Sequence, residues 1–403
     1  GTAGRYSLPV AANVSLRAAS ASFYTENIYV FNGTFNPANN APNTTGFYRG
    51  GLYNAIYNGE DGSVPDPAAV AGKGLKPYTQ DEFILGYQQV LHSSNAFLDG
   101  WQLGVKGTYR KVVNAIDDTC DSRALYNAAV AAGYSVSNWA NEWTVPGGIP
   151  GCYQFNPGKD LNLRLDVNVD GHVRDITIKA ADLGPDAQRT YKSVTFSADK
   201  STDKWSVSAS YTWSKLYGNL EGLVKSTNGQ SDTGTTSDFD FKEIMYGSTG
   251  YLFNDHRHSF KVYGSYKFSP EWEMGFNLLA QSGSPISCLG GGLNSFGTQY
   301  GYTGVFHACD PANPNTITPV GQMGHTPWNI TVSPNVIYKP SMLPGLSMQI
   351  SVMNLFNKVV ATQVYESQFG ITAGGSYRNY YNFGTPRFLS TPRYVRFQVQ
   401  YDF

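Results

Sequence analysis

The chain of 403 residues is poor in charged side chains, at 15%, and rich in aromatic ones, at 14%, which argues against a disordered protein. Its 29 Lys and Arg residues nearly balance its 30 Asp and Glu residues, and the net charge of −1 removes any general electrostatic case for binding nucleic acid. No run approaches the ~18–20 apolar residues that a membrane-spanning helix requires, so a helical membrane protein is excluded.

An alternation of apolar and polar residues with a period of two predicts β-strands along most of the chain. Trp205–Ser214 shows the pattern clearly, with Trp, Val, Ala, Tyr and Trp on one face and only Ser and Thr on the other. One short helix is predicted near Arg123–Ala132. In chain order the predicted strands are Gln80–Leu91, Trp101–Val113, Lys192–Asp199, Trp205–Ser214, His258–Phe268, Trp272–Gly283, Asn329–Pro340, Leu346–Asn357 and Tyr394–Phe403.

Short and long connections alternate between these strands. The long ones are Asn114–Tyr191, Tyr217–Arg257, Ser284–Trp328 and Lys358–Arg393. Short turns at one end and long loops at the other are typical of an outer-membrane β-barrel with periplasmic turns and extracellular loops. A soluble β-sandwich would alternate in the same way, but an unstructured connection as long as the first of these loops is unusual in a compact domain. The pattern therefore favours the barrel, with Trp101, Trp205 and Trp272 in its periplasmic aromatic girdle.

The strand count suggests that the barrel is incomplete. Nine strands would place the start of Gln80–Leu91 on the extracellular side, whereas bacterial barrels have an even number of strands. We therefore expect residues 1–79 to be an extracellular loop segment with a candidate strand within Val14–Phe31, and residues 80–403 to be barrel strands. Because the first residues, Gly1–Tyr6, include neither an initiator Met nor a signal-peptide pattern, we expect a processed chain or part of a longer one.

Four cysteines fall into two local pairs, which predicts disulfide bonds in an oxidising compartment. Sequence alone leaves three connectivities open. Zinc is the competing interpretation, but the chain has no C-x₂-C unit, and His307 is the nearest histidine. The two local pairs are Cys120 with Cys152 and Cys288 with Cys309.

Several motifs resemble those of TonB-dependent outer-membrane transporters. The run Leu75–Tyr87 is similar to the LKP motif in the family's barrel, and Asn354–Asn357 together with Pro392–Phe403 is similar to its NLFN motif and terminal strand. Gly4–Pro9 and Asp255–Lys261 further resemble the Oar-like branch. The resemblance implies an all-β fold, a transmembrane antiparallel β-barrel of which this chain is the C-terminal portion, with long extracellular loops and about nine or ten of about 22 strands.

The same resemblance implies transport of a scarce or bulky substrate through the bacterial outer membrane, not an enzymatic reaction. The expected partners are the TonB complex, which acts through an N-terminal plug and TonB box absent from this sequence, the barrel-assembly machinery, outer-membrane lipid and an unknown substrate; no cofactor, resident metal or nucleic acid is expected. An outer-membrane surface-binding or structural barrel protein is the alternative, and an outer-membrane hydrolase is a weaker one.

Two groups of strand residues are candidate functional residues. The apolar side of the last strand resembles the signal that directs assembly of such barrels, and it comprises Phe397, Val399, Tyr401 and Phe403. The polar sides of the strands are predicted to face the lumen or plug, and their candidates are Lys106, Arg110, Lys261, Glu273, Gln281 and Arg396.

Two other constellations could indicate chemistry. Asp166–Gly171 reads like the first half of a calcium loop, but position twelve is Thr177 instead of a bidentate Glu, so a hairpin is preferred. His256 and His258 are expected on one strand face and could be matched with Asp238 or Asp240 in a hydrolase. No nucleophile signature accompanies these residues, and solvated polar residues at the end of a strand are the preferred interpretation.

Overall fold

The computed structural model describes residues 1–8, 29–38, 42–47, 66–146, 149, 151–230, 233–291, 302–310, 312–313, 315–371 and 376–403. Within these residues there are twenty-one strands and three short helices. The helices are α1 (Pro67–Val70), α2 (Ser122–Ala131) and α3 (Ala180–Leu183). The strands are β1 (Thr2–Ser7), β2 (Tyr29–Phe35), β3 (Pro42–Phe47), β4 (Thr79–Val90), β5 (Gln102–Asn114), β6 (Asp117–Thr119), β7 (Tyr153–Phe155), β8 (Leu161–Leu165), β9 (Arg174–Ile178), β10 (Arg189–Ser201), β11 (Trp205–Gly218), β12 (Gly250–Tyr251), β13 (His258–Lys267), β14 (Trp272–Gln281), β15 (Asn329–Tyr338), β16 (Leu346–Met353), β17 (Ala361–Val364), β18 (Phe369–Ile371), β19 (Tyr377–Asn379), β20 (Pro386–Leu389) and β21 (Tyr394–Tyr401).

The main element is one antiparallel sheet in the order β1-β4-β5-β10-β11-β13-β14-β15-β16-β21, with β12 paired to the end of β11. All nine predicted strands lie in this sheet in sequence order, and short turns alternate with long loops between them. The predicted all-β antiparallel class is therefore confirmed. None of the helices in the described ranges is long and apolar enough to cross a membrane.

One strand of the sheet was not predicted. Thr2–Ser7 pairs with β4, and Arg5 reinforces the pairing through an ion pair with Asp81 at 2.6 Å. Its sequence shows no apolar alternation, because one face carries Ala3, Arg5 and Ser7 and the other carries Thr2, Gly4 and Tyr6. Residues 1–79 thus contribute a strand to the sheet, and most of the predicted strand within Val14–Phe31 lies outside the described residues. The proposed boundary between residues 79 and 80 stays a prediction.

The ladder register gives the sheet two chemically different faces, because directly opposed residues point to the same side. One row across five strands reads Val105, Phe196, Tyr211, Phe260 and Ala280. We call this side the apolar face. The neighbouring row reads Lys106, Thr195, Thr212, Ser259 and Gln281, and we call its side the polar face.

The apolar face is uncovered. Phe196 is 53% exposed and Leu85 is 75% exposed, and Phe83, Tyr87 and Phe260 on the same face are also exposed. A continuous exposed apolar surface across many strands marks contact with another protein or with lipid.

The four long loops pack into a layer with a hydrophobic core of its own. We define the loop layer as the described parts of residues 115–188, 219–257, 284–328 and 358–393. Its core combines side chains from the first two of these loops with a few from the adjoining strands and α1. The largest fully buried members are Tyr153, Phe239, Leu125, Leu161, Leu163, Ile176, Ile178, Leu183 and Leu220.

The predicted helix at Arg123–Ala132 is present as α2. Asp121 caps its N-terminus by accepting a hydrogen bond from the Arg123 amide at 3.1 Å. The Arg123 guanidinium also pairs with Asp121 and Glu243, at 2.6 and 2.9 Å, and so joins the first long loop to the second.

Candidate functional site

The register places all six candidate lumen residues on the polar face, which is the face that carries the row through Lys106. Arg110 forms an ion pair with Glu82 of β4 on this face and lies over the Tyr191 ring at 5.8 Å. Arg396 donates a hydrogen bond to Gln398 at 2.9 Å. That this face lines a barrel lumen stays a prediction, and so does the role of Lys261, Glu273 and Gln281 in it.

The four candidate assembly residues lie on the apolar side of the last strand or directly after its end. Phe397, Val399 and Tyr401 lie on the apolar face, and Phe403 follows the end of β21 with its ring 5.8 Å from that of Tyr401. All of β21 is exposed. Their role in assembly stays a prediction.

Both predicted cysteine pairs are disulfides, Cys120–Cys152 and Cys288–Cys309. The first links the chain after β6 to the chain before β7. The carboxylate of Asp118 lies near both of its sulfurs, but oxidised sulfurs do not supply the thiolate ligands that a metal would need. The bonds therefore act as covalent cross-links within the first and third long loops.

The acidic loop at Asp166–Gly171 is a hairpin connection between β8 and β9, as preferred from the sequence. Asp166 accepts hydrogen bonds from the amides of Asp170 and Gly171 at 3.1 and 2.6 Å. The Arg174 guanidinium lies against both carboxylates and contacts Asp170 at 2.6 Å. This cation holds the pKa of Asp170 well below its usual range and takes the position that a metal ion would need.

The four loops are joined to one another by buried polar contacts. Thr236 of the second loop donates to Asp117 of the first from its amide and its hydroxyl, at 2.6 and 2.7 Å. Tyr302 of the third loop donates to Asp240 of the second at 2.5 Å. Between the third and fourth loops, the Ser287 amide donates to Glu366 at 2.9 Å. The layer is therefore one connected structure.

Buried carboxylates concentrate where the first two loops meet. Asp117, Asp118, Asp238 and Asp240 are each less than a tenth exposed. Burial, followed by the nearby charge of Asp118, raises the pKa of Asp117 and Asp240 well above the usual range of a carboxyl group. Asp117 and Asp118 lie more than a hundred positions from Asp238 and Asp240, so the sequence carried no local signal for the cluster.

A second charged cluster surrounds a small cavity of about 40 Å³ in the loop layer. Lys225 forms a buried ion pair with Asp238 there; burial alone would lower the pKa of Lys225, but the Asp238 carboxylate holds it above its ordinary value. Burial raises the pKa of Glu366 to about 7. Burial, together with the charge of Lys225, lowers the pKa of His307 to about 3, so His307 is neutral at physiological pH.

A larger cavity of about 380 Å³ opens where the polar face meets the loop layer, and we call it the mouth pocket. His256 lines it and makes a 2.8 Å hydrogen bond to the Ser282 carbonyl oxygen. Gln281 and Asn329 contribute polar groups from the ends of β14 and β15, and Gln363 and Phe388 close it from the fourth loop. Of these residues, the sequence singled out Gln281 as a lumen candidate and His256 as a possible hydrolase residue.

The expectation that His256 and His258 share one face is wrong. His258 begins β13 on the apolar face, where its Nδ1 is 2.9 Å from the Tyr211 hydroxyl, whereas His256 precedes the strand and lines the mouth pocket. The carboxylates considered with them, Asp238 and Asp240, have Lys225 and Tyr302 as partners. Within the described ranges neither carboxylate forms an ion pair with either histidine.

No family model matches the chain. A curated protein that does match is the TonB-dependent transporter Oar of Myxococcus xanthus, which is 33% identical over 180 residues, covering 43% of this chain and 16% of Oar. The chain resembles part of an Oar-like TonB-dependent transporter. This similarity agrees with the motifs of the terminal strand and the Asp255–Lys261 segment. The protein is located in the bacterial outer membrane.

Solved structures of outer-membrane receptors show weaker similarity. The transporter YddB from Escherichia coli is 11% identical with a TM-score of 0.42, over 82% of this chain and 33% of YddB. The pyoverdine receptor FpvA from Pseudomonas aeruginosa is 15% identical with a TM-score of 0.38, over 84% of this chain and 32% of the receptor. The chain spans about a sixth of the length of Oar.

Proposed function

We propose that this chain forms the wall and the extracellular loop layer of an outer-membrane transporter, which works with TonB in the energy-coupled passage of a scarce or bulky substrate. The observation that carries the proposal is the 180-residue similarity to the TonB-dependent transporter Oar. In the whole transporter the TonB complex would act through the plug region that the family resemblance implies.

The two faces of the sheet support this role. A wall between lipid and an aqueous lumen needs one apolar and one polar face along every strand, which is the arrangement of these rows. Aromatic residues gather at the short turns: Trp101 and Trp205 are 6.2 Å apart, and Phe97 packs against both. Such side chains suit the boundary between lipid and water and would mark the periplasmic end.

The loop layer supports substrate capture at the opposite end. Its disulfides, buried core and charged contacts hold the loops in one arrangement, which lowers the entropy cost of binding. The mouth pocket has the volume of a small-molecule site and polar groups that can hydrogen-bond, including His256, Gln281 and Gln363. A substrate larger than the mouth pocket would bind with one of its polar groups in this pocket.

The proposal is tested in cells that make the full-length transporter. A deletion strain is grown with one nutrient limiting at a time, supplied as a ferric siderophore, cobalamin, an oligosaccharide or a peptide. We expect a growth defect on one of these, which the full-length gene restores only in the presence of TonB. A variant with His256→Ala and Gln363→Ala should restore less growth than Lys204→Gln, a control at an exposed short turn. Equal growth of the deletion strain on every nutrient, with or without TonB, would contradict the proposal.

A further inference from the structure

The apolar face carries a groove of about 650 Å³ that is formed by β1, β4, β5, β10 and β11. Its lining is mainly apolar, from Phe83, Leu85, Tyr109, Val194 and Trp213, with Lys192 at one end. The strands that form it belong to the regular part of the main sheet, so the groove is a feature of the wall and not of the loops.

Gly107 creates the groove. In the ladder it stands between Leu85 of β4 and Val194 of β10, in a row that continues to Trp213. Leu85, Val194 and Trp213 in that row project apolar side chains from the face, whereas Gly107 projects none. A Cβ atom added at Gly107 would meet only the Leu85 carbonyl oxygen, at 3.8 Å, so the space above this residue is open.

Three lysines lie beside the groove on the same face. Lys192 and Lys215 are directly opposite each other in the β10–β11 ladder, and Lys111 is one step diagonal from Lys192, since it opposes Thr190. Like charges directly opposite each other on a sheet are destabilising. Lys192 lies over the Tyr109 ring at 5.8 Å and Lys215 over the Trp213 ring at 5.3 Å, so both remain next to the groove wall.

The surrounding charges do not neutralise these lysines. The carboxylate nearest in the ladder is Asp81, opposite Lys111, and Arg5 already binds it through two hydrogen bonds of 2.6 and 2.8 Å. Within the described ranges none of the three lysines forms an ion pair. Four cations against one carboxylate leave three positive charges unmatched on this part of the apolar face.

The height of the lysines matches the edge of a membrane. Eight residues separate Trp205 at the short turn from Trp213, which is about 26 Å along the strand or roughly 20 Å at the usual barrel tilt. Lys215 comes two residues later. The groove therefore lies within the apolar band and the lysines lie just beyond it, at the level of lipid headgroups.

We propose that this groove binds a phosphorylated lipid of the outer leaflet, with an acyl chain against Gly107 and a phosphate group among Lys111, Lys192 and Lys215. The proposal rests on the orientation given under the proposed function. Ammonium groups bind phosphate as point charges, so one phosphate can contact all three lysines and remove their mutual repulsion. Lysines that only extend towards water at the membrane edge would give a weaker, general attraction to anionic headgroups that does not depend on the groove.

The test uses the full-length transporter in detergent and lipid A as the probe, in its diphosphorylated form and after removal of both phosphates. Native mass spectrometry measures how much of each lipid the protein retains. We expect at least tenfold stronger retention of the phosphorylated form, loss of that preference in Lys192→Gln/Lys215→Gln, and weaker retention of both forms in Gly107→Leu, which fills the groove. Lys204→Gln removes one charge at an exposed short turn and should change nothing.

Equal retention of the two lipid forms by the unaltered protein would overturn the proposal. An undiminished preference for the phosphorylated form in the double lysine variant would also overturn it. Circular dichroism of each variant shows whether it is folded. A separate measurement tests the orientation of the sheet in the membrane. Labelling of Lys192→Cys by a water-soluble reagent only from the periplasmic side would overturn that orientation. Loss of lipid preference with TonB-dependent growth intact would leave the proposed function standing.

Discussion

Lys225 and Asp238 form an ion pair inside the loop layer, with only 6% and 9% of their side chains exposed. Glu221 and Glu366 line the same small cavity, so this single lysine is surrounded by three carboxylates. The second long loop is held in place by a contact that cannot lose one partner without leaving a buried charge.

Replacing Lys225 with Met should therefore destabilise the loop layer by about 3–5 kcal/mol, which is the usual cost of leaving a buried charge unpaired. Faster amide hydrogen exchange of residues 219–257 would measure this destabilisation. The double variant Lys225→Met/Asp238→Leu should recover most of the loss. Lys179→Met breaks an exposed pair with Asp160 and serves as the control, with little effect expected. Exchange rates in Lys225→Met equal to those of the unaltered protein would contradict this prediction.

Glu366 should make the loop layer less stable as the pH rises. Its pKa in the folded protein is about 7, above the usual value of 4.5, so the unfolded state loses its proton first. The contribution of Glu366 to the free energy of unfolding is fully present below pH 4.5. It is lost as the pH rises through 7, by about 3 kcal/mol in total. Glu366→Gln keeps the acceptor for the Ser287 amide and should remove this dependence.

His307 works in the opposite direction. Its pKa of about 3 lies below the usual 6.5, so its contribution to stability is present above pH 6.5 and is lost as the pH falls towards 3. Hydrogen exchange of the third and fourth loops between pH 5 and 8, corrected for intrinsic rates, separates the two effects. A Glu366→Gln protein with the same pH profile as the unaltered one would rule out the assignment to Glu366.

The two faces of β11 can be distinguished with single cysteines. Ala209 lies on the apolar face and Ser210, its neighbour, lies on the polar face. In intact outer membranes a water-soluble maleimide should label Ser210→Cys and leave Ala209→Cys unlabelled, because lipid covers the latter. Labelling of both positions after solubilisation is the control. The reverse pattern in membranes would refute the assignment of the faces.

The last strand should matter for assembly through its apolar side. Deleting Phe403 should reduce the amount of protein inserted into the outer membrane, as should Val399→Ala. Gln398→Ala, one residue away on the polar face, is the matched substitution and should insert normally. Heat-modified mobility on gels measures the folded fraction. Normal insertion without Phe403 would remove it from the assembly signal.

The wall was predictable because each strand meets two different surroundings, and this leaves an alternation that can be seen in a stretch such as Trp205–Ser214. The loop layer was not, because its contacts join distant parts of the chain: Tyr302 reaches Asp240, and Asp117 reaches Thr236. These residues follow no period. The strand Thr2–Ser7 escaped notice for a related reason, since backbone pairing and the ion pair of Arg5 with Asp81 hold it, and neither appears as hydrophobic patterning.

The first long loop leaves β5 and returns at β10, and these two strands are direct neighbours, with Lys111 opposite Thr190. A folded insert of more than seventy residues thus begins and ends one hydrogen-bonded step apart. Its length and content can change without shifting the pairing of any strand beneath it. Such an arrangement allows the loop layer to change in sequence while the strands keep the geometry that the membrane imposes.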